Sequence, residues 1–118
     1  MVCGRWPRRS GAPCPSGLPP LPVPKRRTIG IAGVGLIGSS IGLRAAELGW
    51  DVAGWDVSAV NLDLARSRGA IATPAASLRE LANGVETLVL AAPLAAIVGW
   101  LHDFAEDPPG SRLIIDVA

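Results

Sequence analysis

From Thr28 onward, short apolar runs alternate with stretches whose apolar positions recur at helical spacing. "TIGIAG" (28–33) reads as a short buried strand. "LIGSSIGLRAAELG" (36–49) places Ile37, Ile41, Ala45 and Leu48 at spacings of four, four and three, one face of a helix. Gly49 then stands where a helix-ending glycine belongs. "DVAGWD" (51–56) predicts a second strand. Ser58 caps a helix through Val60, Leu62 and Leu64 to about Arg68, closed by Gly69. "AIA" (70–72) reads as a brief third strand, and Ser77 with Glu80 three residues on has the spacing of a capping box for "LRELAN". "ETLVLAA" (86–92) is continuously apolar, as a strand covered on both faces should be. Pro93 breaks it, a helix follows from about Leu94 to Ala105, "DPPGS" turns, and "RLIIDVA" (112–118) is the fifth strand. Strands alternating with helices through short connections imply right-handed crossovers and one parallel sheet. The expectation is an α/β, doubly wound sheet of five strands in the order 3-2-1-4-5, with helices on both faces.

Composition changes this picture mainly at the N-terminus. Seven of the eleven prolines and both cysteines lie in residues 1–27, where regular structure is suppressed because proline fixes φ and lacks a donor. That segment reads as a disordered, Pro/Arg-rich tail, and 28–118 as one domain. The net charge of +1 hides an asymmetry: the tail carries six basic residues and no acid, whereas 28–118 has five basic against ten acidic residues, a net of −5. An acidic body argues against nucleic acid as its partner. No apolar run reaches the roughly 20 residues a membrane span requires. Cys3 and Cys14 have no neighbouring Cys or His that would make a metal set. A body without cysteine fits a reducing cytoplasm.

The glycines Gly33, Gly35 and Gly38 stand between the first strand and the first helix. Glycine weakens both kinds of element, so a cluster at their junction needs a reason. A helix N-terminus offers unsatisfied amides and a positive dipole end, worth ~0.3–1 kcal/mol to an anion and up to ~2 when partly buried. A tight turn at Gly33, open backbone at Gly35 and close helix packing at Gly38 would let a pyrophosphate use it. Gly42, one turn on, extends the close helix–strand contact. The motif has the required context of a strand before it and a helix after it. Asp56 ends the second strand 18 residues after Gly38, where a carboxylate accepts from ribose hydroxyls and repels a 2′-phosphate. The fold expected is thus Rossmann-type, and the cofactor NAD. Trp50, Trp55 and Trp100 are candidates for stacking on adenine or for ordinary packing.

"IGIAGVGLIGSSIGLRAAELGWDVAGWD", "NLDLARSRGAI", "VETLVLAAPLAAI" and the closing "DVA" together resemble the N-terminal domain of prephenate and arogenate dehydrogenases. The resemblance covers residues 28–118. It implies oxidative decarboxylation of a cyclohexadienyl substrate, prephenate or arogenate, in tyrosine biosynthesis, by a homodimer. It also implies that Gly33, Val34, Gly35, Leu36, Ile37 and Gly38 cradle the pyrophosphate and that Asp56 holds the ribose. Ala91, Ala92 and Pro93 would then line the path to the nicotinamide. The family's catalytic serine falls just past "DVA", with its histidine and arginine further on, so no catalytic residue is assigned in this sequence and the chain alone is expected to be inactive. His102 reads as a solvent-facing helix residue, and Asp116 as a turn acid or a support for the site. Two other readings stay open: a 3-hydroxyacid dehydrogenase or imine reductase on the same fold, and a non-catalytic nucleotide-binding module.

Overall fold

The computed structural model describes residues 27–117; the predicted tail apart from Arg27, its cysteines and Ala118 lie outside them. The elements are β1 (Thr28–Ala32), α1 (Leu36–Glu47), β2 (Asp51–Trp55), α2 (Ala59–Ser67), β3 (Thr73–Pro74), α3 (Leu78–Gly84), β4 (Thr87–Leu90), α4 (Leu94–Glu106) and β5 (Leu113–Asp116). All strand pairs are parallel, and the sheet runs β3-β2-β1-β4-β5. The predicted fold class and strand order hold.

Side chains alternate across the strands, which divides the core into two layers. Ile29 and Ile31 of β1, Val52 of β2 and Val89 of β4 face α1 and α2, together with Ala45, Ala65 and Ile71. Leu88 and Leu90 of β4 face the other way, against Leu81 of α3 and Ile97 and Phe104 of α4. Ile31, Leu81, Leu88, Leu90 and Ile97 are almost wholly buried, each contributing about 1.5–3 kcal/mol relative to exposure.

The helix ends follow the sequence signals. Beyond α1, Gly49 and Trp50 donate to Ala46 and Ala45; beyond α2, Gly69 and Ala70 donate to Arg66 and Ala65. Both pairs are the double bond of a Schellman ending, with the glycine at φ 83° and 79°. At α3, Ser77 Oγ accepts from the Glu80 amide, while the Glu80 carboxylate reaches back to the Ala76 amide.

Three sequence expectations need correction. The third strand is Thr73–Pro74, not 70–72: Ala70 and Ile71 are instead buried beneath α1 and β2. Pairing with β2 falls on the following residues, on an edge where Pro74 needs no donor. The buried stripe of α1 is Gly38, Gly42 and Ala45, whereas Ile37 and Leu48 are each 59% exposed. The helix lies so close to its neighbours that only small residues fit there. At Gly42, the neighbour that a Cβ would strike is the Ala70 carbonyl, at 2.2 Å, in the α2–β3 connection. The close approach there is first to a loop and only then to the strand.

Candidate functional site

The chain order reverses between β1 and β4: β1 leads to β2 on one side, and β4 to β5 on the other. A crevice opens outside the carboxyl ends of such strands. Here it is bounded by the turn Gly33–Gly35 after β1, Asp56 after β2, and Ala91–Pro93 after β4.

The turn can be followed one backbone amide at a time. The Gly33 amide donates to the Trp55 carbonyl at 2.8 Å. The Val34 amide donates to Asp56 Oδ2 at 2.9 Å. Ser39 donates to the Gly35 carbonyl, which starts the helical ladder. The amides of Gly35, Leu36, Ile37 and Gly38 find no acceptor among the described residues, and α1 has no side-chain cap. Four donors at the positive end of a twelve-residue helix are therefore left without an acceptor, and three of these residues, Gly35, Leu36 and Ile37, line the crevice.

The three motif glycines are there for different reasons. Gly33 has φ 97°, and a Cβ on it would lie 2.2 Å from the Ala91 carbonyl. A Cβ at Gly38 would lie 1.9 Å from the Gly33 carbonyl. Both positions are closed by the protein itself. Gly35 is the opposite case: its φ is an ordinary −73°, and a Cβ there meets nothing within 4 Å. The space beside it is free in the folded chain, so nothing in the chain itself requires glycine there.

Two cavities meet at that point. One, of about 410 Å³, has Trp55, Asp56, Val57 and Asn61 on one side and Ala96 and Trp100 on the other. The second, of about 510 Å³, has Leu36, Ile37, Leu94 and Val117 on its walls. Gly35, Ala91, Ala92 and Pro93 line both. Of the residues expected to hold the cofactor, Gly33, Gly35, Leu36, Ile37, Asp56, Ala91, Ala92 and Pro93 line one or both cavities, while Val34 lies within the turn and Gly38 in the first turn of α1. Asp56 is half-buried; Oδ1 accepts from the Ser58 amide at 2.8 Å, while Oδ2 holds Val34. Each oxygen keeps a second lone pair, so the carboxylate can still accept from a ligand hydroxyl.

Trp55 and Trp100 pack edge to face, 5.9 Å between centroids and 72° between planes. They are both core packing and cavity wall, so the two readings of these side chains coincide. Trp50 lies elsewhere, under the Arg27 guanidinium at 5.6 Å. His102 is exposed on α4, and Asp116 is exposed at the end of β5. Asn61, Ala96, Leu94 and Val117 were not foreseen. Asn61 and Ala96 are three residues into their helices and carry no motif; only their place on elements that flank the crevice would have pointed to them. Among the described residues no group of three His, Cys, Asp or Glu could hold a metal, and no helix is long and apolar enough to cross a membrane.

A paired cavity joined at a glycine turn, with free helix-end amides at the junction and a carboxylate in one lobe, defines a dinucleotide-binding domain of Rossmann type. The residues fit a dinucleotide in particular: Gly35, where the unpartnered amides begin, lines both cavities, and Asp56 lines one of them. Comparison with known proteins carries this further. Residues 17–99 match the family described as D-isomer specific 2-hydroxyacid dehydrogenase, NAD binding domain, and the chain belongs to that family. Its cofactor is NAD. Among solved structures, arogenate dehydrogenase from Synechocystis is similar at 23% identity and TM-score 0.65, over 77% of this chain and 32% of that one. The 3-hydroxyisobutyrate dehydrogenase of Mycobacterium tuberculosis gives 21% identity and 0.64, over 77% and 31%. Prephenate dehydrogenase from A. aeolicus, solved with hydroxyphenyl propionate and NAD+, gives 18% identity and 0.61, over 78% and 33%. At these identities the likeness is one of fold, and the chain spans about a third of each of these proteins. No curated protein sequence matches the chain.

Proposed function

We propose that this chain is the cofactor-binding part of an NAD-dependent dehydrogenase, with pyrophosphate on the amides of Gly35, Leu36, Ile37 and Gly38. The observation that carries the reading is the set of four unpartnered amides at the start of α1, beginning at Gly35 where two cavities meet. Val34 and Gly33 shape the turn behind them. Adenosine occupies the lobe beside Asp56, whose carboxylate accepts from the ribose hydroxyls and repels a 2′-phosphate. The nicotinamide half occupies the lobe walled by Leu36 and Ile37, 87% and 59% exposed, which shield it from water when it is seated. Ala91, Ala92 and Pro93 form the wall common to both. When bound, NAD supplies a hydride acceptor.

The substrate we propose is prephenate or arogenate, on the strength of the "GVGLIGSS" turn and the terminal "DVA"; enzymes for both are among the proteins of like fold. The family match favours a second reading, in which the substrate is a D-2-hydroxy acid and hydride leaves a carbinol carbon beside a carboxylate. Neither assigns a catalytic group to the described residues. The whole enzyme would be a cytoplasmic homodimer, and this chain alone would bind NAD without turning it over.

Calorimetric titration of the 118-residue chain with NADH and NADPH tests the site. NADH should bind at least about tenfold more tightly, equivalent to about 1.4 kcal/mol. Equal affinities would remove the role given to Asp56. Reduction of NAD by the purified chain with prephenate, arogenate or a D-2-hydroxy acid would overturn the expected inactivity and identify the substrate at once.

A further inference from the structure

We propose that Asp56 and Ser39 act as a clamp on Val34 that holds the phosphate turn in its receiving shape, whether or not a sugar is present. The proposal rests on the reading of the turn as a pyrophosphate site and adds what keeps that site open. Val34 is the residue between the first two motif glycines. Its amide donates to Asp56 Oδ2 at 2.9 Å, and its carbonyl accepts from Ser39 Oγ at 2.9 Å. Its side chain is 3% exposed, set in the core layer under α1 and α2. All three parts of the residue are thus held, from three directions. Next to it, the Gly33 amide is tied to the Trp55 carbonyl, so two successive residues of the turn hang on two successive residues at the end of β2. The same carboxylate takes the Ser58 amide with Oδ1, while Ser58 Oγ caps α2.

The consequence lies in the amides. Val34 is the last residue of the turn whose donor points back into the protein; from Gly35 onward the donors point out. If the clamp is released, the Val34 amide is free to turn toward the crevice and the next four lose their common direction. A site for an anion depends on donors already aimed at it, because reorganising them on binding subtracts from affinity. Asp56 and Ser39 are therefore positioning residues for the pyrophosphate. This role of Asp56 opposes its charge: a carboxylate near an anion repels it, yet here it sharpens the donors that receive it.

That opposition makes the test decisive by sign. The probe is inorganic pyrophosphate, which has no ribose, titrated into the isotope-labelled 118-residue chain and followed by the amide resonances of residues 34–38. Asp56→Asn removes the charge and leaves one oxygen, in place of two, to serve the Val34 and Ser58 amides. Ser39→Ala removes the other bond with no change of charge, and Ser39→Thr keeps the hydroxyl. The clamp predicts that Asp56→Asn and Ser39→Ala each weaken pyrophosphate binding about 3- to 10-fold, as the loss of one ordinary hydrogen bond would. Ser39→Thr should bind as the wild type does, and Val34 amide exchange should speed up in the two weakened variants. Unchanged or tighter pyrophosphate binding in Asp56→Asn, or unchanged binding in Ser39→Ala, overturns the clamp and leaves Asp56 as a sugar ligand only. A wild-type chain whose turn amides ignore both pyrophosphate and NADH overturns the underlying reading, and the clamp with it.

Discussion

Replacing Gly35 by alanine should separate folding from binding. The built Cβ meets no atom within 4 Å, and the residue already has φ −73° and ψ −154°. In the unliganded chain the substitution reduces the freedom of the unfolded state, a gain of about 0.4–1 kcal/mol. Gly35 is also the N-cap of α1, where alanine is disfavoured by several tenths to about 1 kcal/mol. The two effects nearly cancel. At about 4–8 °C per kcal/mol for a domain of this size, Tm should move by only a few degrees. Binding is another matter. The new methyl group stands at the junction of the two cavities, where the proposed pyrophosphate would touch the chain. Losing one or two charge-assisted hydrogen bonds, each worth about 1.5–3 kcal/mol, removes about 3 kcal/mol, or roughly a hundredfold in affinity. Calorimetry with NADH and a thermal melt on the same sample measure both quantities. An affinity within threefold of wild type, at unchanged Tm, would refute the argument that the space beside Gly35 belongs to a ligand.

The neighbouring glycines should behave in the reverse way. Gly38→Ala and Gly42→Ala push a methyl to within 1.9 and 2.2 Å of backbone carbonyls, so each should lower stability by at least ~1–3 kcal/mol in urea unfolding; a wild-type midpoint would contradict the packing described. Leu81→Ala, at a position 2% exposed, should cost about 2–5 kcal/mol and lower Tm accordingly. In a Trp6→Phe, Trp50→Phe background, AMP should change the emission of Trp55 and Trp100 while nicotinamide mononucleotide should not; equal responses would contradict the assignment of the two lobes. Asp56→Asn should bring the NADH to NADPH affinity ratio toward one, and an unchanged ratio in paired titrations would count against charge as the discriminator.

Much of this architecture is legible in the sequence because its cause is local. Alternating strands and helices with short links leave one parallel order, and Gly49, Gly69, Ser58 and Ser77 mark helix ends through bonds within a few residues. The glycine turn and Asp56 are legible for the same reason, since spacing along one βαβ unit sets their place in space. What escapes is governed by distance rather than by pattern. The inner face of α1 is made of Gly38, Gly42 and Ala45, whose burial reflects close approach and leaves no hydrophobic trace; the more apolar Ile37 and Leu48 mark the wrong face. Ala70 and Ile71 look like a strand because they are buried, yet the ladder with β2 forms two residues later. The cavities draw Asn61 from α2, Ala96 and Trp100 from α4 and Val117 from just past β5, and only the fold shows that they converge. Nor does any spacing rule reveal that Asp56 holds the turn's own backbone as well as lining a cavity.

In the proposed function, the amides of Gly35 to Gly38 are a prepared receptor for linked phosphates. The most direct test of this is an amide-resolved titration of the isotope-labelled chain with ADP. The largest shifts, and the strongest slowing of exchange, should fall on Gly35, Leu36, Ile37 and Gly38, with smaller changes at Asp56 and Asn61. Largest shifts on the opposite end of the sheet, around Thr28, Asp51 and Thr73, or in the groove lined by Ile41 and Trp50, would contradict it.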